Sequence, residues 1–365
     1  MSELAELTKQ LVAIDSVNPE LIPGAAGEAE VARFVAEWLE RAGLEVEVEE
    51  VAPGRPNVVG IARGTGGGRS LLLNAHTDTV GVAGMERGHE PYVDGDRLYG
   101  RGAYDMKASL AAIMLAGAEA VRRRLRGDVL ITAVVDEEVA SIGTGAVARR
   151  YRADGAIVSE PTQMRVAVAH RGFVAFEIET QGRAAHGSRP DLGVDAIAHM
   201  GHVLVRLEEL DRRLRADVSH TLLTSGSLHA SVIEGGQEYS SYPERCLLQA
   251  ERRTIPGETM EQVEDEIRTL LGDLDGRTRV VLARSPFEVD QEEAIVQLVR
   301  RHAGDGELVG VPFWADSAVL AGAGIPTVLF GPSGEGAHAV VEWVDLAAAE
   351  RCLEVYLAVA ADFCG

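Results

Sequence analysis

The residues of this chain that could do chemistry begin where an apolar run meets an imidazole and a carboxylate. Residues 71–73 are leucines, and His76 and Asp78 follow them, two positions apart. Side chains at positions i and i+2 of an extended chain point the same way, so both would face one cleft at the end of a buried strand. Histidine and carboxylate side chains bind zinc and transfer protons. Because a single His-x-Asp pair is common by chance, the interpretation depends on further acids and histidines in similar places.

Four further segments place such residues directly after an apolar strand or in a glycine-flanked loop. They contain Asp105, the run Asp136-Glu137-Glu138, Glu160 and His338. Each has an ordinary alternative: Asp105 as a helix cap, the other acids in solvated loops, and His338 as a surface histidine. Adjacent acids at the end of a buried strand repel one another, however, and a bound cation relieves that repulsion.

Together these groups favour a metal site at one edge of a sheet. Open α/β sheets bind ligands at the carboxyl ends of their strands, which is where these residues are expected. Two imidazoles and three carboxylates suit Zn²⁺, with Co²⁺ or Mn²⁺ as alternatives. Because no thiolate accompanies them, we expect the site to be catalytic rather than structural.

The hydrophobic spacing predicts the elements that must position this site. Apolar strands alternate with helices, which indicates a sheet covered by helices on both faces. The glycine-rich residues 64–68 lead into a strand and not into a helix, so we expect a hairpin turn there instead of a phosphate-binding loop. The predicted helices are 2–15 (with Ser2 as N-cap), 27–42, 106–124, 143–152, 290–302 and 344–362, and the predicted strands are 44–51, 57–63, 70–76, 128–135, 156–158 and 326–330.

A different pattern predicts an inserted domain. The pattern is strand 173–180, helix 193–214, strands 221–233 and 245–253, helix 258–271 and strand 278–284. This β-α-β-β-α-β order is the ferredoxin-like arrangement. We therefore expect a discontinuous α/β domain of residues 1–171 and 286–365 that carries an α+β domain of residues 172–285.

Composition narrows the class of protein. The 365 residues carry a formal net charge of −22, which argues against binding to nucleic acid or to an anionic membrane surface. No apolar run approaches the ~18 to 20 residues that span a bilayer, and the N-terminus lacks the apolar core of a signal peptide. The cysteines, Cys246, Cys352 and Cys364, form no Cys-x-x-Cys pair. We expect a soluble protein of the reducing cytoplasm.

With these residues in place, the chain resembles a family of dinuclear zinc amidohydrolases. The family includes acetylornithine deacetylase, succinyl-diaminopimelate desuccinylase, aminoacylase and carboxypeptidase G. The resemblance implies a mixed-sheet, zinc-exopeptidase-like catalytic domain with an inserted lid and dimerisation domain. The segments that carry it follow the family's order nearly end to end: 76–78 (His-Thr-Asp), 102–107 (Gly-Ala-Tyr-Asp-Met-Lys), 136–138 (Asp-Glu-Glu), 159–162 (Ser-Glu-Pro-Thr) and 336–338 (Gly-Ala-His) with Glu342.

The resemblance also implies a role for each residue of the metal site. The implied ligands are His76 and Glu160 for one Zn²⁺, Glu138 and His338 for the other, and Asp105 for both. Asp78 would orient His76 from behind. Glu137 would be the general base, taking a proton from a water held between the ions so that the resulting hydroxide attacks an amide carbonyl.

Two residues of the inserted domain match segments through which the family contacts substrate, and a third departs from the family's pattern. His186, in the segment 182–188, would reach across a homodimer and stabilise the oxyanion in the neighbouring active site; its alternative is a loop histidine that caps local backbone. Arg253 would bind the substrate carboxylate, and its alternative is an ion pair with Glu251. Ser240 stands where the family commonly has an asparagine, so the substrate side chain stays open.

The implied function is hydrolysis of the amide bond of an N-acyl amino acid, with an acetylornithine-deacetylase-like reaction first. Succinyl-diaminopimelate desuccinylation and carboxypeptidase G-like cleavage of peptides are alternatives of the same class. A different class is a non-catalytic amino-acid binder on the same fold, although a binder would have no need of Glu137. A related zinc aminopeptidase is a further alternative, but such enzymes commonly lack the inserted domain.

Overall fold

The protein is described by a computed structural model that covers residues 2–365. The chain forms two compact units. The first contains the chain up to Val168, together with Val289–Val309 and Ala315–Gly365. The second contains Ala169–Glu288 and Gly310–Trp314. The sequence placed the inserted domain at residues 172–285 and did not assign residues 310–314 to it.

The helices and strands of the described residues follow the predicted alternation, with additional short elements. The helices are α1 (Glu3–Val12), α2 (Ala29–Arg41), α3 (Ala108–Arg123), α4 (Ile142–Arg150), α5 (Ala196–Ala216), α6 (Met260–Leu271), α7 (Ala294–Ala303), α8 (Ser317–Gly322) and α9 (Leu346–Cys364). The strands are β1 (Glu45–Ala52), β2 (Arg55–Ala62), β3 (Leu71–His76), β4 (Tyr92–Asp94), β5 (Arg97–Tyr99), β6 (Val129–Val134), β7 (Gly155–Val158), β8 (Ala167–His170), β9 (Gly172–Gln181), β10 (Ser227–Gly235), β11 (Arg245–Thr254), β12 (Gly276–Arg284), β13 (Phe287–Glu288), β14 (Val309–Val311), β15 (Thr327–Leu329), β16 (Gly334–Glu335) and β17 (Trp343–Asp345).

The first helix shows how local sequence sets an element boundary. The Ser2 hydroxyl accepts a hydrogen bond from the backbone N–H of Ala5 at 3.1 Å, which confirms the predicted N-cap. Leu4, Leu7 and Leu11 lie on one face of α1 and are buried. An amphipathic helix with a capped start is therefore fixed both locally and by packing.

The first unit is built on a mixed sheet whose strand order is β1-β2-β6-β3-β7-β15-β8. The central strands β6, β3, β7 and β15 are parallel neighbours. Every residue of these strands is buried, as expected for parallel strands in a sheet that is covered on both faces. Their carboxyl ends consequently meet at one edge, which is where the predicted site residues follow.

The predicted hairpin at residues 64–68 is wrong. Strand β6 lies between β2 and β3 in the sheet, so the segment crosses over to a strand two positions away instead of turning back onto its neighbour. Its glycines permit a close approach to the chain that enters β6. A Cβ atom at Gly64 would lie 2.3 Å from the carbonyl oxygen of Arg126, and one at Gly68 would lie 2.3 Å from the nitrogen of Gly127.

The second unit contains an antiparallel sheet of strand order β10-β11-β9-β12. The element order β9-α5-β10-β11-α6-β12 confirms the predicted β-α-β-β-α-β pattern. Helices α5 and α6 bury Met200 and Ile267 against Phe176 and Leu248 of the sheet. The predicted strand at 221–233 starts too early, because His220 and Thr224 close a turn before β10 begins.

A small antiparallel sheet in the first unit has no counterpart in the prediction. Its order is β16-β17-β5-β4, and its strands are two or three residues long. Such short strands leave too few residues for a periodic pattern to be visible in the sequence. The sheet nevertheless places the loop between β16 and β17 beside the segment that follows β5.

Among the helices of the described residues, none has the length and apolar character required to cross a membrane.

Candidate metal centre

Most of the predicted site residues follow the carboxyl ends of four parallel strands. His76 is the last residue of β3, and Asp78 comes two residues later. Residues 136–138 follow β6, Glu160 follows β7, and the loop with His338 follows β15 by way of β16. The sheet topology therefore brings together residues that are far apart in the chain.

Two groups of possible ligands form at this edge, and Asp105 belongs to both. They are His76, Asp105 and Glu160 in one group, and Asp105, Glu138 and His338 in the other, with ligand atoms within 4.8 Å of one another in each. Asp105 Oδ1 lies 3.1 Å from His76 Nε2, and Asp105 Oδ2 lies 3.5 Å from His338 Nε2. One carboxylate thus faces two imidazoles with different oxygens, which is the arrangement of a bridging ligand. The nitrogen and oxygen donors, with no sulfur, fit a pair of Zn²⁺, Co²⁺ or Mn²⁺ ions.

The hydrogen bonds of His76 determine which ring nitrogen is available. Nδ1 lies 2.9 Å from the backbone carbonyl oxygen of Asp78, and a carbonyl oxygen can only accept. Nδ1 is therefore the donor, and the lone pair of the neutral ring lies on Nε2, the atom that faces Asp105 and Glu160. The Asp78 carboxylate is farther away, with Oδ1 at 3.6 Å from Nδ1. Orientation of His76 by Asp78 thus involves mainly the Asp78 main chain.

The Asp78 carboxylate instead contacts the turn after β6. Its Oδ1 accepts a hydrogen bond from the backbone N–H of Glu137 at 3.1 Å, and its Oδ2 accepts one from Glu138 at 3.2 Å. The Asp78 side chain is fully buried. Burial alone would raise the pKa of Asp78, but the neighbouring His76 ring and the hydrogen bonds from Asn18 and this backbone keep that pKa below its ordinary value.

Asp105 lies in a distorted helical turn at Ala103–Lys107, directly before α3. Its φ of −119° and ψ of 92° are not helical, and the cap residue of α3 is Lys107. The alternative interpretation of Asp105 as a helix cap is therefore wrong. Because the chain leaves helical geometry at Asp105, the carboxylate projects into the site instead of lying along a helix.

Glu342 holds the main chain around Asp105. Its Oε1 accepts hydrogen bonds from the backbone N–H groups of Tyr104 at 3.0 Å and Asp105 at 3.1 Å. Its Oε2 accepts from Gly102 N–H at 3.0 Å and from Arg101 Nη1 at 2.5 Å. The Glu342 side chain is 1% exposed, so this carboxylate is fully satisfied inside the protein.

The loop that carries His338 depends on a tight turn. Gly336 has a φ of +85°, and a Cβ atom there would lie 1.8 Å from the carbonyl oxygen of Val341. His338 itself has a positive φ of 63°. Its Nε2 lies 3.0 Å from Glu138 Oε2. Glycine at position 336 is therefore required for the loop to bring this imidazole to the acids.

The site concentrates negative charge in a buried place. Burial raises the pKa of Glu137 well above its ordinary value, and the nearby Glu160 raises it further. Burial likewise raises the pKa of Glu160, in spite of the neighbouring His76. Hydrogen bonds to Asp105 and Glu138 raise the pKa of His338 to about 10. Divalent cations would neutralise this cluster and take the place of protons on the imidazoles and carboxylates.

Several buried residues around the site were not recognised in the sequence. Asp316 precedes α8 and looks like an N-cap, but its carboxylate accepts from Thr144 Oγ1 at 2.5 Å and adds to the negative charge near Glu137. Asn18 and Arg55 contact the acids from behind. No spacing rule marks them, because their partners lie far away in the chain.

In the second unit, the predicted residues His186 and Ser240 lie on adjoining segments. The backbone N–H of Gly187 donates to the Ser240 carbonyl oxygen at 2.6 Å. His186 is exposed, and its Nδ1 accepts a hydrogen bond from the backbone N–H of Ser188 at 3.2 Å. The local backbone contact that the sequence offered as an alternative is thus present. It also places the proton of the neutral His186 ring on Nε2.

Arg253 makes the ion pair that the sequence offered as its alternative role. Its Nε donates to Glu251 Oε1 at 2.6 Å, and its guanidinium carbon lies 5.2 Å from the centre of the Phe173 ring. The Arg253 side chain is 32% exposed. A role in substrate binding stays a prediction, in which a substrate carboxylate would share the guanidinium with Glu251.

The chain belongs to the peptidase family M20/M25/M40, whose model matches residues 72–362. It is 30% identical to an acetylornithine deacetylase from Myxococcus xanthus, over 98% of this chain and 96% of that protein. Members of this family are metallopeptidases and amidohydrolases, so the protein is a metal-dependent hydrolase. The predicted family is confirmed.

Solved structures support the same fold. A tripeptidase from Staphylococcus aureus superposes with a TM-score of 0.81 at 21% identity, covering 99% of this chain and 98% of that chain. A dinuclear metal-binding peptidase of the M20 family from Bacillus subtilis superposes with a TM-score of 0.74 at 17% identity, covering 99% and 97%. At these identities the likeness establishes the fold alone. The predicted α/β mixed-sheet class is confirmed.

A substitution of Glu342 tests whether its hydrogen bonds hold the Asp105 segment for metal binding. Glu342→Gln keeps the side-chain shape but replaces one acceptor oxygen by a donor, which faces existing donors. We expect Zn²⁺ affinity to fall by about 10- to 100-fold, as is typical when support for a ligand is lost. The measurement is a Zn²⁺ titration against a competing chelator. Glu335→Gln, an exposed change at the end of the neighbouring strand β16, is the control, and equal affinity of the two variants would contradict the role of Glu342.

Proposed function

We propose that this protein hydrolyses the amide bond of an N-acyl amino acid, with N-acetylornithine as the first substrate to test. The observation that carries the proposal is the Asp105 carboxylate shared by two ligand groups, with Glu137 directly beside the ligand Glu138. The nearly full-length similarity to an acetylornithine deacetylase supports this choice over a peptidase. A pure binding protein would need neither a shared carboxylate nor an adjacent free one.

Two Zn²⁺ ions are the proposed cofactors, with Co²⁺ or Mn²⁺ as alternatives. His76 and Glu160 would hold one ion, Glu138 and His338 the other, and Asp105 both. Zinc of this kind lowers the pKa of a coordinated water to ~7, far below that of bulk water, and polarises a carbonyl oxygen. All five side chains are of the types that such ions prefer.

Glu137 would move the proton in this reaction. Neighbouring residues of an extended or turning chain point different ways, so Glu138 can bind metal while Glu137 stays free to accept a proton. A carboxylate that exchanges a proton near neutral pH works best when its pKa is raised towards that pH. Burial and Glu160 act on Glu137 in this direction. The carboxyl group would take a proton from the attacking water and then give it to the leaving nitrogen.

His186 would stabilise the oxyanion in the active site of a second copy of the chain. The hydrogen bond at Nδ1 leaves the Nε2–H free to donate to a developing negative charge. A homodimer through the second unit is supported by β10, an edge strand of its sheet that exposes Val232 and Ile233. An exposed edge of this kind is suited to pairing with another chain.

Arg253 and Ser240 are the proposed contacts to the substrate. A guanidinium fits a carboxylate with two parallel hydrogen bonds, which matches the free carboxylate of an N-acyl amino acid. We propose that the enzyme acts in the cytoplasm on small molecules, without a nucleic-acid or membrane partner. The net charge of −22 and the free, buried cysteines support this proposal.

The substrate class is tested with a panel assayed on zinc- and cobalt-loaded protein. The panel contains N-acetylornithine, other N-acetyl amino acids, N-succinyl-diaminopimelate, N-formyl compounds, folyl-glutamate, dipeptides and tripeptides. We expect the highest kcat/KM for an N-acetyl amino acid. A preference for dipeptides or tripeptides would contradict the deacylase proposal in favour of a peptidase. No turnover of any substrate, with both metals bound, would favour a binding protein.

The proton-transfer role of Glu137 is tested by Glu137→Gln, which removes the base and keeps the shape. We expect kcat to fall by about 10²- to 10⁴-fold, the usual contribution of a positioned acid–base group, while two metal ions stay bound. Metal content measured by elemental analysis and steady-state kinetics check this outcome. Glu335→Gln should leave both quantities unchanged. Retained turnover in Glu137→Gln would rule out the assignment.

The oxyanion role of His186 is tested by His186→Ala, with the exposed His202→Ala on α5 as the control. Removal of one oxyanion donor typically lowers kcat by about 10²- to 10³-fold. We expect such a loss for His186→Ala alone, with metal content and oligomeric state equal to those of the parent. Size-exclusion chromatography with light scattering reports the oligomeric state. An unchanged kcat would remove His186 from the mechanism.

A further inference from the structure

We propose that Asn18 and Arg55 are positioning residues that hold the turn of Glu137 and Glu138 through two buried carboxylates, Asp78 and Asp136. None of these four residues is a predicted metal ligand. The inference rests on the proposed function where it concerns turnover. Its consequences for metal binding stand on the geometry alone.

Asn18 joins the two carboxylates with a single amide nitrogen. Its Nδ2 donates to Asp78 Oδ2 at 2.8 Å and to Asp136 Oδ1 at 3.1 Å. Its Oδ1 accepts a hydrogen bond from the backbone N–H of Glu20 at 2.9 Å, which fixes the amide so that nitrogen faces the acids. Asn18 is completely buried. A carboxylate in its place would put three acids together with no proton between them.

Arg55 supplies the positive charge for this group. Its Nη1 donates to Asp136 Oδ1 at 2.7 Å, and its Nε donates to Glu28 Oε2 at 2.9 Å. A further contact joins Nη2 to the other Glu28 oxygen. All three side chains are at most 7% exposed. The planar fork of a guanidinium can contact two carboxylates from different segments, whereas the single ammonium of lysine cannot do so with the same geometry.

The contacts reach the proposed reaction through the backbone of the turn. Asp78 accepts the N–H groups of Glu137 and Glu138, and Asp136 begins the same turn with a positive φ of 69°. The Asp136 carbonyl accepts the N–H of Ser141 at 2.5 Å, which closes the turn on its other side. Asn18 and Arg55 therefore restrain both the start of the turn and its two central N–H groups.

Positional accuracy is the reason to expect a functional effect. A displacement of about 1 Å in a reacting group can lower the rate about 10²-fold. Replacing a buried ion pair by apolar residues is often neutral or stabilising, so stability alone does not explain Glu28, Arg55 and Asp136. The need to hold the Glu137 and Glu138 side chains in a fixed direction does explain these three buried charges. The two residues act on Glu137 and Glu138 without touching substrate or metal.

The experiment uses Arg55→Lys and Asn18→Ser in the full chain, with Arg63→Lys as the matched control. Arg63 also joins two carboxylates, Glu45 Oε2 at 2.8 Å and Asp128 Oδ2 at 3.0 Å, but it is 54% exposed and outside the site. Four quantities are measured: kcat, KM, the affinity for each of two Zn²⁺ ions, and Tm. Substrate is the best compound of the panel.

We expect kcat of both site variants to fall by about 10- to 100-fold, with KM within about twofold of the parent. The affinity for one of the two Zn²⁺ ions should fall by a similar factor, because Glu138 belongs to only one ligand group. The control should keep kcat and both affinities. Glu28→Gln, which removes only the outermost charge, should give a smaller loss of the same kind and serves if Arg55→Lys fails to fold.

A purely structural role gives a different result. Lower Tm with kcat per folded molecule and both Zn²⁺ affinities within about twofold of the parent would overturn the proposal. If the parent hydrolyses none of the panel, the proposed function fails, and the two Zn²⁺ affinities decide this inference separately. A loss of affinity for one ion in Asn18→Ser, but not in Arg63→Lys, would then still support it.

Discussion

The structure depends on how mutual repulsion is limited within a dense group of buried and half-buried carboxylates. Three of these acids come after parallel strands, and the fourth lies in the segment before α3. The topology places all four at one edge of the sheet: Asp78, Glu138, Glu160 and Asp105. Like charges in a buried place are costly unless cations or hydrogen-bond donors face them. Two bound metal ions would offset part of this negative charge. Hydrogen-bond donors and arginine side chains of the protein offset another part of it.

The surroundings of two nearby acids, Asp78 and Glu137, shift their pKa values in opposite directions. The Asp78 carboxylate lies beside the His76 ring and receives hydrogen bonds from the Asn18 amide and two backbone N–H groups, so its pKa stays low despite burial. Glu137 faces Glu160 and has no such set of donors, so burial raises its pKa. These opposite pKa shifts support the proposed division of roles, in which Asp78 would stay an anion and Glu137 would exchange the proton.

The sequence predicted what depends on pattern and could not predict what depends on distant contacts. The fully buried strands β3, β6 and β7 are apolar runs, so their ends, and the proposed metal ligands after them, are visible in the sequence. The partners of Asn18 are not, because its second carboxylate is 118 residues away. The hairpin predicted for the glycine-rich residues 64–68 is wrong for a related reason: β6, which comes later in the chain, lies between β2 and β3 in the sheet.

Two buried arginines each form an ion pair with a buried carboxylate that contacts or begins a segment with a proposed metal ligand. Arg101 and Glu342 fix the main chain at Asp105, whereas Arg55 acts through Asp136 on the turn of Glu138. The imidazoles at the two ends differ in setting, since the His76 side chain is 1% exposed and that of His338 is 53% exposed. In the first group, His76 ends β3 and Glu160 follows β7, so the core of the sheet holds both residues. The second group, with Asp105, Glu138 and His338, lies on loops, where the arginine–carboxylate contacts restrain the Asp105 segment and the turn of Glu138.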